Sequence, residues 1–390
     1  MKILMLCYEY PPIGGGGAKV VQGLSTELVK QGHHVDLVTM GYKNLPHYEK
    51  LNNFNVYRVK CLRLKANICT PFEMITYIIS ALPLILKLCK KNNYDINHTH
   101  FIYPDGFLAY IINKLNNLPY VITAHGSDVP GYNPDRFNAL HKILTPIWKL
   151  ITSASEKLIM PSKSLDILVK KVIPDIRTTV VPNGINLNKF SAGSKRGNKI
   201  LVVSRMFERK GVQYFIEAVS GLNHGYTVNI VGEGPYLESL KKKSESIKAK
   251  VNFLGYLDNG SKELKELYET SRIFVFTSES ENFPVVLLEA MISGLAIITT
   301  NDSGCVEVVG DSAILVNSKD SDAIKEAILK LINDPNLCDR LGKAARERVE
   351  KLFSWDNIAM QHLALYSQSG HLKKTVYSDI NNFYSRINQS

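Results

Sequence analysis

The chain has 390 residues, 45% hydrophobic and 21% charged, enough apolar material for two sizeable cores and not the composition of a disordered chain. Lys and Arg number 47 against 36 Asp and Glu, a net charge of +11, which suits polyanions: nucleic acid, anionic lipid or phosphorylated small molecules. No zinc-finger spacing or RNA-binding signature accompanies that charge, which places nucleic acid last of the three.

The six cysteines are scattered without a CxxC pair and read as reduced thiols of a cytosolic protein. Residues 1–7, one charge among six apolar or thiol residues, are too short for a signal peptide and suit a first buried strand at 3–7. It feeds four glycines, Gly14 to Gly17, and then an amphipathic helix over 20–30. Glycine lets backbone approach a ligand closely, although such a run also makes a flexible turn. It has neither GxGxxG spacing nor the GK[ST] of a P-loop. Further strands are predicted at 35–39 and 56–59.

The most hydrophobic stretch, 74–88, covers 15 residues, short of the roughly 20 that cross a bilayer. Pro83 should kink it. Lys87, Lys90 and Lys91 mark its end, as an interfacial helix would want; a core helix with a solvated end is the alternative. His98-Thr99-His100 offers two histidines without a third ligand, poor evidence for a metal. After a helix at 104–115, a strand at 120–123 leads into His125-Gly126-Ser127-Asp128. His125 then stands at the carboxyl end of a strand, placed either to donate to a ligand or to serve structure alone. Strands at 157–160 and 179–181 close this half.

The pattern restarts with a strand at 199–203, and the polar stretch 186–198 reads as a linker. Two doubly wound, Rossmann-like α/β domains follow from this, with ligand expected in a central cleft between them. Arg205 and Lys210 come directly after the strand 199–203, where two cations can neutralise a pyrophosphate. A merely solvated loop is the plain alternative. A helix at 212–221 and strands at 227–231, 251–254, 273–277 and 296–299 continue the alternation.

The most specific segment is Ser278-Glu279-Ser280-Glu281-Asn282-Phe283-Pro284-Val285-Val286-Leu287-Leu288-Glu289-Ala290. Pro284 suits the first turn of a helix, which leaves the backbone N–H groups near residues 283–286 open to a phosphate, so Phe283, Pro284 and Val285 are expected to line the donor site. Glu281 falls in the loop and Glu289 inside the helix, about 12 Å further along. Two carboxylates so spaced can flank a bound pyrophosphate, one on sugar hydroxyls and the other on a ribose. An acidic cluster that only complements the helix dipole is the alternative. A last helical run, 355–368, has no strand after it.

With these clusters in this order, the chain resembles family 4 of the retaining glycosyltransferases, of GT-B fold, from Lys2 to about Tyr366. The likeness rests on the E-x7-E segment from Glu281 to Glu289 and on the Arg205/Lys210 pair. Tyr10-Pro11-Pro12, Gly32-His33-His34-Val35, Val181-Pro182-Asn183-Gly184-Ile185 and Val231-Gly232-Glu233-Gly234-Pro235 support it. The resemblance implies domains at 1–188 (acceptor) and 198–355 (nucleotide sugar), with a tail, 356–390, crossing back onto the first. It implies that Arg205 and Lys210 hold the donor diphosphate, Glu289 the ribose and Glu281 the donor-sugar hydroxyls. His125 is expected to reach the transferred sugar, Gly15 and Gly16 to lie near donor phosphate and acceptor, and Gly232 to lie near the base. It further implies transfer from a UDP- or GDP-linked sugar to a hydroxyl, with retained anomeric configuration and no metal or other cofactor. Glycolipid, lipid-linked glycan or polysaccharide synthesis is the expected setting, in the cytoplasm or on the inner face of an anionic membrane. An inactive nucleotide-sugar-binding scaffold and a GT-B epimerase or phosphorylase are the competing readings.

Overall fold

The computed structural model describes residues 1–132, 138–191, 193, 196–220, 222, 225–245, 247, 250–301 and 304–369, the side chains of 138–142 excepted. Two compact units make up the chain: Met1–Gly184 with Trp355–Ser390, and Ile185–Ser354.

In the first unit the strands are β1 (Lys2–Leu6), β2 (His34–Met40), β3 (Tyr48–Leu51), β4 (Phe54–Val59), β5 (Ile96–His100), β6 (Tyr120–Thr123), β7 (Lys157–Met160) and β8 (Thr178–Val180). They form one sheet in the order β3-β4-β2-β1-β5-β6-β7-β8, parallel except where β3 runs against β4. Helices α1 (Gly16–Lys30), α2 (Pro71–Lys91), α3 (Phe107–Asn116), α4 (Asn138–Ser153) and α5 (Lys163–Val172) connect them. Strands covered on both faces usually read as near-continuous apolar runs, and β1 is one, buried from Ile3 to Leu6. The order reverses beside β1, with β2 on one side and β5 on the other, which opens a crevice at the carboxyl ends.

The second unit holds β9 (Lys199–Val203), β10 (Thr227–Val231), β11 (Lys250–Phe253), β12 (Ile273–Phe276), β13 (Ala296–Thr300) and β14 (Ala313–Val316). All run parallel in the order β11-β10-β9-β12-β13-β14, the dinucleotide-fold order, with the reversal beside β9. Its helices are α6 (Val212–Ser220), α7 (Leu237–Ser244), α8 (Lys262–Thr270), α9 (Val285–Ile292), α10 (Cys305–Val309), α11 (Ser321–Asn333) and α12 (Pro335–Leu352). The chain then returns to the first unit as α13 (Trp355–Gln368), whose Trp355 ring fills the space left by two glycines. An added Cβ would lie 2.2 Å from that ring at Gly23 and 2.5 Å at Gly184. The rest of the expected tail, 370–390, lies outside the described residues, as do Ser194 of the expected linker and Gly221 of the helix expected at 212–221.

Several expectations need correction. The described residues of 186–198 do not form a free linker: Phe190 is buried in the second unit, its ring centroid 4.8 Å from that of Tyr268. Ile185 bridges to Ser354, so the units divide at 184/185 rather than at 188. β5 was missing from the expected strands because Asn97, His98, Thr99 and His100 look polar, yet all four are fully buried between β1 and β6. The strands β3 and β14 were missing as well. Pro284 caps α9 from just outside rather than occupying its first turn. The apolar stretch 74–88 lies within a longer helix, α2, which runs through Pro83 and starts from a Thr70/Glu73 capping box.

Candidate functional site

In the second unit the site grows from the loops after β9, β10 and β12. Ser204 donates its N–H to Val231 O at 3.0 Å, and Met206 donates to Glu233 O at 2.9 Å, so the first two loops are stitched together. So close an approach demands glycine. Gly232, at φ +134°, would place a Cβ 1.8 Å from Ser204 O.

The β9 loop ends in a short turn, Glu208–Lys210, closed by Gly211 at φ +68°. A Cβ on Gly211 would sit 2.1 Å from Thr277 O, beyond the end of β12. Glu279 N–H donates to Arg209 O at 3.0 Å. Because β9 and β12 are neighbours in the sheet, these ties bring Lys210 to Glu281, and the two form an ion pair. Lys210 is buried, which lowers the pKa of its ammonium; the Glu281 charge opposes that shift. Arg205 stays exposed, its guanidinium 5.6 Å from the Phe207 ring centroid.

In the first turn of α9, Leu287 N–H donates to Pro284 O at 3.1 Å, while the N–H groups of Val285 and Val286 have no intrahelical acceptor, as at any helix start. Gly304 holds the preceding loop, donating to Glu281 O at 3.0 Å. Phe283 turns its side chain into the core, edge-on to Phe353 at 5.5 Å, so only its backbone can serve a ligand. Glu289 is buried: Oε1 lies 2.7 Å from Lys189 Nζ, and Oε2 accepts from Tyr268 OH at 3.2 Å. Lys189 also bonds Asn259 Oδ1. Sequence reasoning missed Lys189, Tyr268 and Asn259. Lys189 lay in the supposed linker, and the other two carry no local signal.

In the first unit, Gly14 takes φ +93°, and a Cβ there would fall 2.5 Å from Glu9 Cβ. Gly15 N–H donates to Glu9 Oε2 at 3.2 Å, and α1 begins at Gly16. A Cβ on Gly17 would lie 2.6 Å from Phe101 Cζ and 3.5 Å from His125 Cγ. At Gly15 and Gly16 it would meet nothing within 4 Å, an opening that a ligand could use. Phe101, at φ +70°, is a strained non-glycine residue next to His125, ring centroids 4.4 Å apart.

His125 follows β6 by two residues, and Asp128 locks it there. That carboxylate accepts the N–H groups of His125 and Ile102, each at 2.9 Å, and so joins the loops after β6 and β5. Burial pushes the His125 pKa down to about 4, so its ring is neutral at pH 7. Its Nε2 lies 3.1 Å from His100 Nδ1. His100 Nε2 is buried with no partner among the described residues. A proton there would be an orphan donor, which favours His100 protonated on Nδ1 and donating to His125. His125 then carries its own proton on Nδ1, an atom for which no hydrogen bond is seen among the described residues. His98, once weighed as a metal ligand, has both ring nitrogens engaged, by Tyr366 OH at 2.6 Å and Thr123 Oγ1 at 2.8 Å.

Two doubly wound units, with a cationic loop and an E-x7-E helix at the carboxyl edge of the second sheet, are those of a GT-B glycosyltransferase. Family comparison makes the assignment specific. The profile of the glycosyl transferases group 1 matches residues 185–348, and that of Glycosyltransferase Family 4 matches residues 14–189. The chain belongs to this family. An uncharacterised glycosyltransferase of Methanocaldococcus jannaschii is 30% identical over 94% of this chain and 98% of its own length. The N-acetyl-alpha-D-glucosaminyl L-malate synthase of Bacillus anthracis is 27% identical over 94% and 96%. Among solved structures, an Anabaena protein crystallised with UDP has a TM-score of 0.72 at 16% identity, covering 94% of this chain and 100% of its own.

Proposed function

We propose that this glycosyltransferase takes a sugar from a UDP- or GDP-linked donor and passes it, with retained anomeric configuration and without a metal, to an acceptor hydroxyl. The observation that carries the reading is the part-buried Lys210–Glu281 pair, set with exposed Arg205 at the carboxyl ends of neighbouring β9 and β12. Cations at that edge can take the diphosphate, with the first-turn N–H groups of α9 as further donors. They stabilise the charge that grows on the leaving phosphate, and this replaces what a metal would supply. Glu281 is assigned to donor-sugar hydroxyls, Glu289 to the ribose, and the loop at Gly232 to the base side.

The neutral His125 is assigned as a hydrogen-bond donor to the transferred sugar through Nδ1. Gly15 and Gly16 give the backbone room to approach donor phosphate and acceptor. Retention follows if the acceptor attacks from the face the phosphate leaves, with the departing phosphate taking the hydroxyl proton. The expected setting is cytoplasmic synthesis of a lipid-linked glycan, glycolipid or cell-surface polysaccharide.

Thermal unfolding with UDP, GDP and ADP tests the donor site. A ligand at 100 times its dissociation constant should add about 2.7 kcal/mol. Turnover in the presence of a chelator and NMR of the product's anomeric proton test the rest. No shift with any nucleotide would overturn the donor assignment, and an inverted anomer would overturn retention.

A further inference from the structure

Helix α2 has the wrong surface for water. A helix on a soluble unit normally turns charged or polar residues outward. On α2 the outward line runs through Phe72, Ile75 and Ile79, exposed by 65%, 53% and 67%, and on to Pro83 without a charge. The segment before the helix widens this face. Leu62 and Leu64, 50% and 80% exposed, are tied to it by N–H bonds to Thr76 Oγ1 (3.1 Å) and Glu73 Oε1 (2.6 Å). Exposed lysines frame the patch: Lys60 and Lys65 on the leading segment, Lys87, Lys90 and Lys91 at the far end of the helix. Between residues 60 and 91 the sole acid is Glu73, which is buried and committed to Thr70 and Leu64.

We propose that α2 and the segment before it form a docking face for an anionic lipid bilayer, with the helix lying along the surface. By length and composition α2 could cross a membrane, but only 28% of its apolar window is buried. That buried share is structural. Tyr77, Ala81 and Ile85 belong to the core of the first unit, and Tyr77 OH donates to Asp105 Oδ1 at 2.8 Å. A span would dismantle that core, whereas an interfacial position leaves it intact and seats the outward side chains among acyl chains. The lysines then lie at headgroup level, where each gains from negative lipid. A second copy of the chain suits the face less well, since a two-fold contact sets the same lysine-framed patch against itself. The proposal is independent of the donor site.

The test is sedimentation of the full chain with vesicles of pure phosphatidylcholine and of phosphatidylcholine containing phosphatidylglycerol. Binding to the anionic vesicles should exceed binding to the neutral ones by about tenfold or more. It should weaken from about 0.1 M to about 1 M salt, as the screening length falls from about 10 Å to about 3 Å. Phe72→Ser/Ile75→Ser/Ile79→Ser should abolish it without changing the melting curve. Lys87→Glu/Lys90→Glu/Lys91→Glu should weaken it in a chain whose apolar line is untouched. Equal binding to both vesicle types, binding retained by the apolar triple variant, or concentration-dependent dimerisation that the triple variant removes would each overturn the proposal.

Discussion

Lys189 Nζ lies 2.7 Å from Glu289 Oε1, across 100 residues of chain, and Glu289 is 2% exposed. The pair ties the start of the second unit to the middle of α9, with Tyr268 OH on the other carboxylate oxygen. Removing one partner leaves the other charge buried and unpaired, which costs more than the pair contributes as a pair. Lys189 keeps 30% of its side chain in solvent, so the loss is partial. Lys189→Met should cost about 1–2 kcal/mol, or a melting point lower by roughly 2–4 °C per kcal/mol in a unit of this size. Glu289→Gln keeps an acceptor for Tyr268 and should cost less in stability, while weakening nucleotide binding if the carboxylate takes the ribose. Equal melting curves for wild type and Lys189→Met would show that the pair does not organise the unit.

Lys210 and Glu281 were expected to grip different parts of the donor, yet in the free chain they hold each other. On the proposed donor assignment, a diphosphate must compete with Glu281 for the ammonium. Two consequences point in opposite directions. Lys210→Ala should lower kcat/KM by about 10²–10³, the usual loss when one donor to developing charge is removed. Glu281→Gln frees the lysine and deletes a negative charge, so it should bind the free nucleoside diphosphate more tightly while losing turnover. Calorimetric titration of the nucleotide beside steady-state rates measures both. Weaker nucleotide binding in Glu281→Gln would mean that the carboxylate helps the phosphate site rather than guarding it.

Much of this was legible from residue order alone, and the exceptions have physical causes. Parallel strands buried on both faces are apolar runs, so β1, β6, β7, β9, β10, β12 and β13 stand out. β5 does not, because its polar side chains bond one another, the neighbouring strand and loop, and the C-terminal helix rather than water: Thr99 to Asn97, His98 to Thr123 and Tyr366, and His100 through Nδ1 to His125. The spacing of Glu281 and Glu289 marks them as a pair of interest, but their partners are fixed by sheet order. Lys210 meets Glu281 because β9 and β12 are neighbours. Lys189 reaches Glu289 because Phe190 anchors the start of the second unit on Tyr268. Neither contact leaves a local pattern.

Gly16 and Gly17 are adjacent, and their surroundings separate fold from function. A Cβ at Gly17 would come within 2.6 Å of Phe101 Cζ. That ring cannot retreat easily, being set between Tyr8 at 5.0 Å and His125 at 4.4 Å. Gly17→Ala should destabilise by about 1–3 kcal/mol. At Gly16 a Cβ meets nothing within 4 Å. Gly16→Ala should therefore leave stability unchanged or raise it by about 0.4–1 kcal/mol, through the unfolded chain. If donor or acceptor comes against this backbone, the same variant should lose turnover. Full activity in Gly16→Ala would move the close approach to another residue.

Acid should act on the first unit through its buried imidazoles. His362 is 4% exposed, and burial holds its pKa at about 3 rather than 6.5. Below pH 6.5 the unfolded chain takes a proton there that the folded chain refuses until about pH 3, so this residue's stabilisation is whole above 6.5 and drains away as the pH falls. His98, His100 and His125 are lowered by burial too and act in the same sense. Asp105 acts in the opposite sense. Burial raises its carboxyl from 3.8 to about 8, so its stabilisation is whole below 3.8 and lost as the pH rises through 8. Burial raises Asp128 and Glu9 as well. The pH profile of the whole chain is thus a balance of opposed groups, and the difference between two variants is the cleaner quantity. His362→Gln deletes one imidazole, whose Nδ1 has no partner among the described residues. Between about pH 6 and pH 4 its stability should fall less steeply than that of the wild type, by about 1.4 kcal/mol per pH unit. Denaturant unfolding at several pH values across that window reads the difference directly. Parallel profiles would mean that His362 charges inside the folded chain, and hence that water reaches the histidine cluster leading to His125.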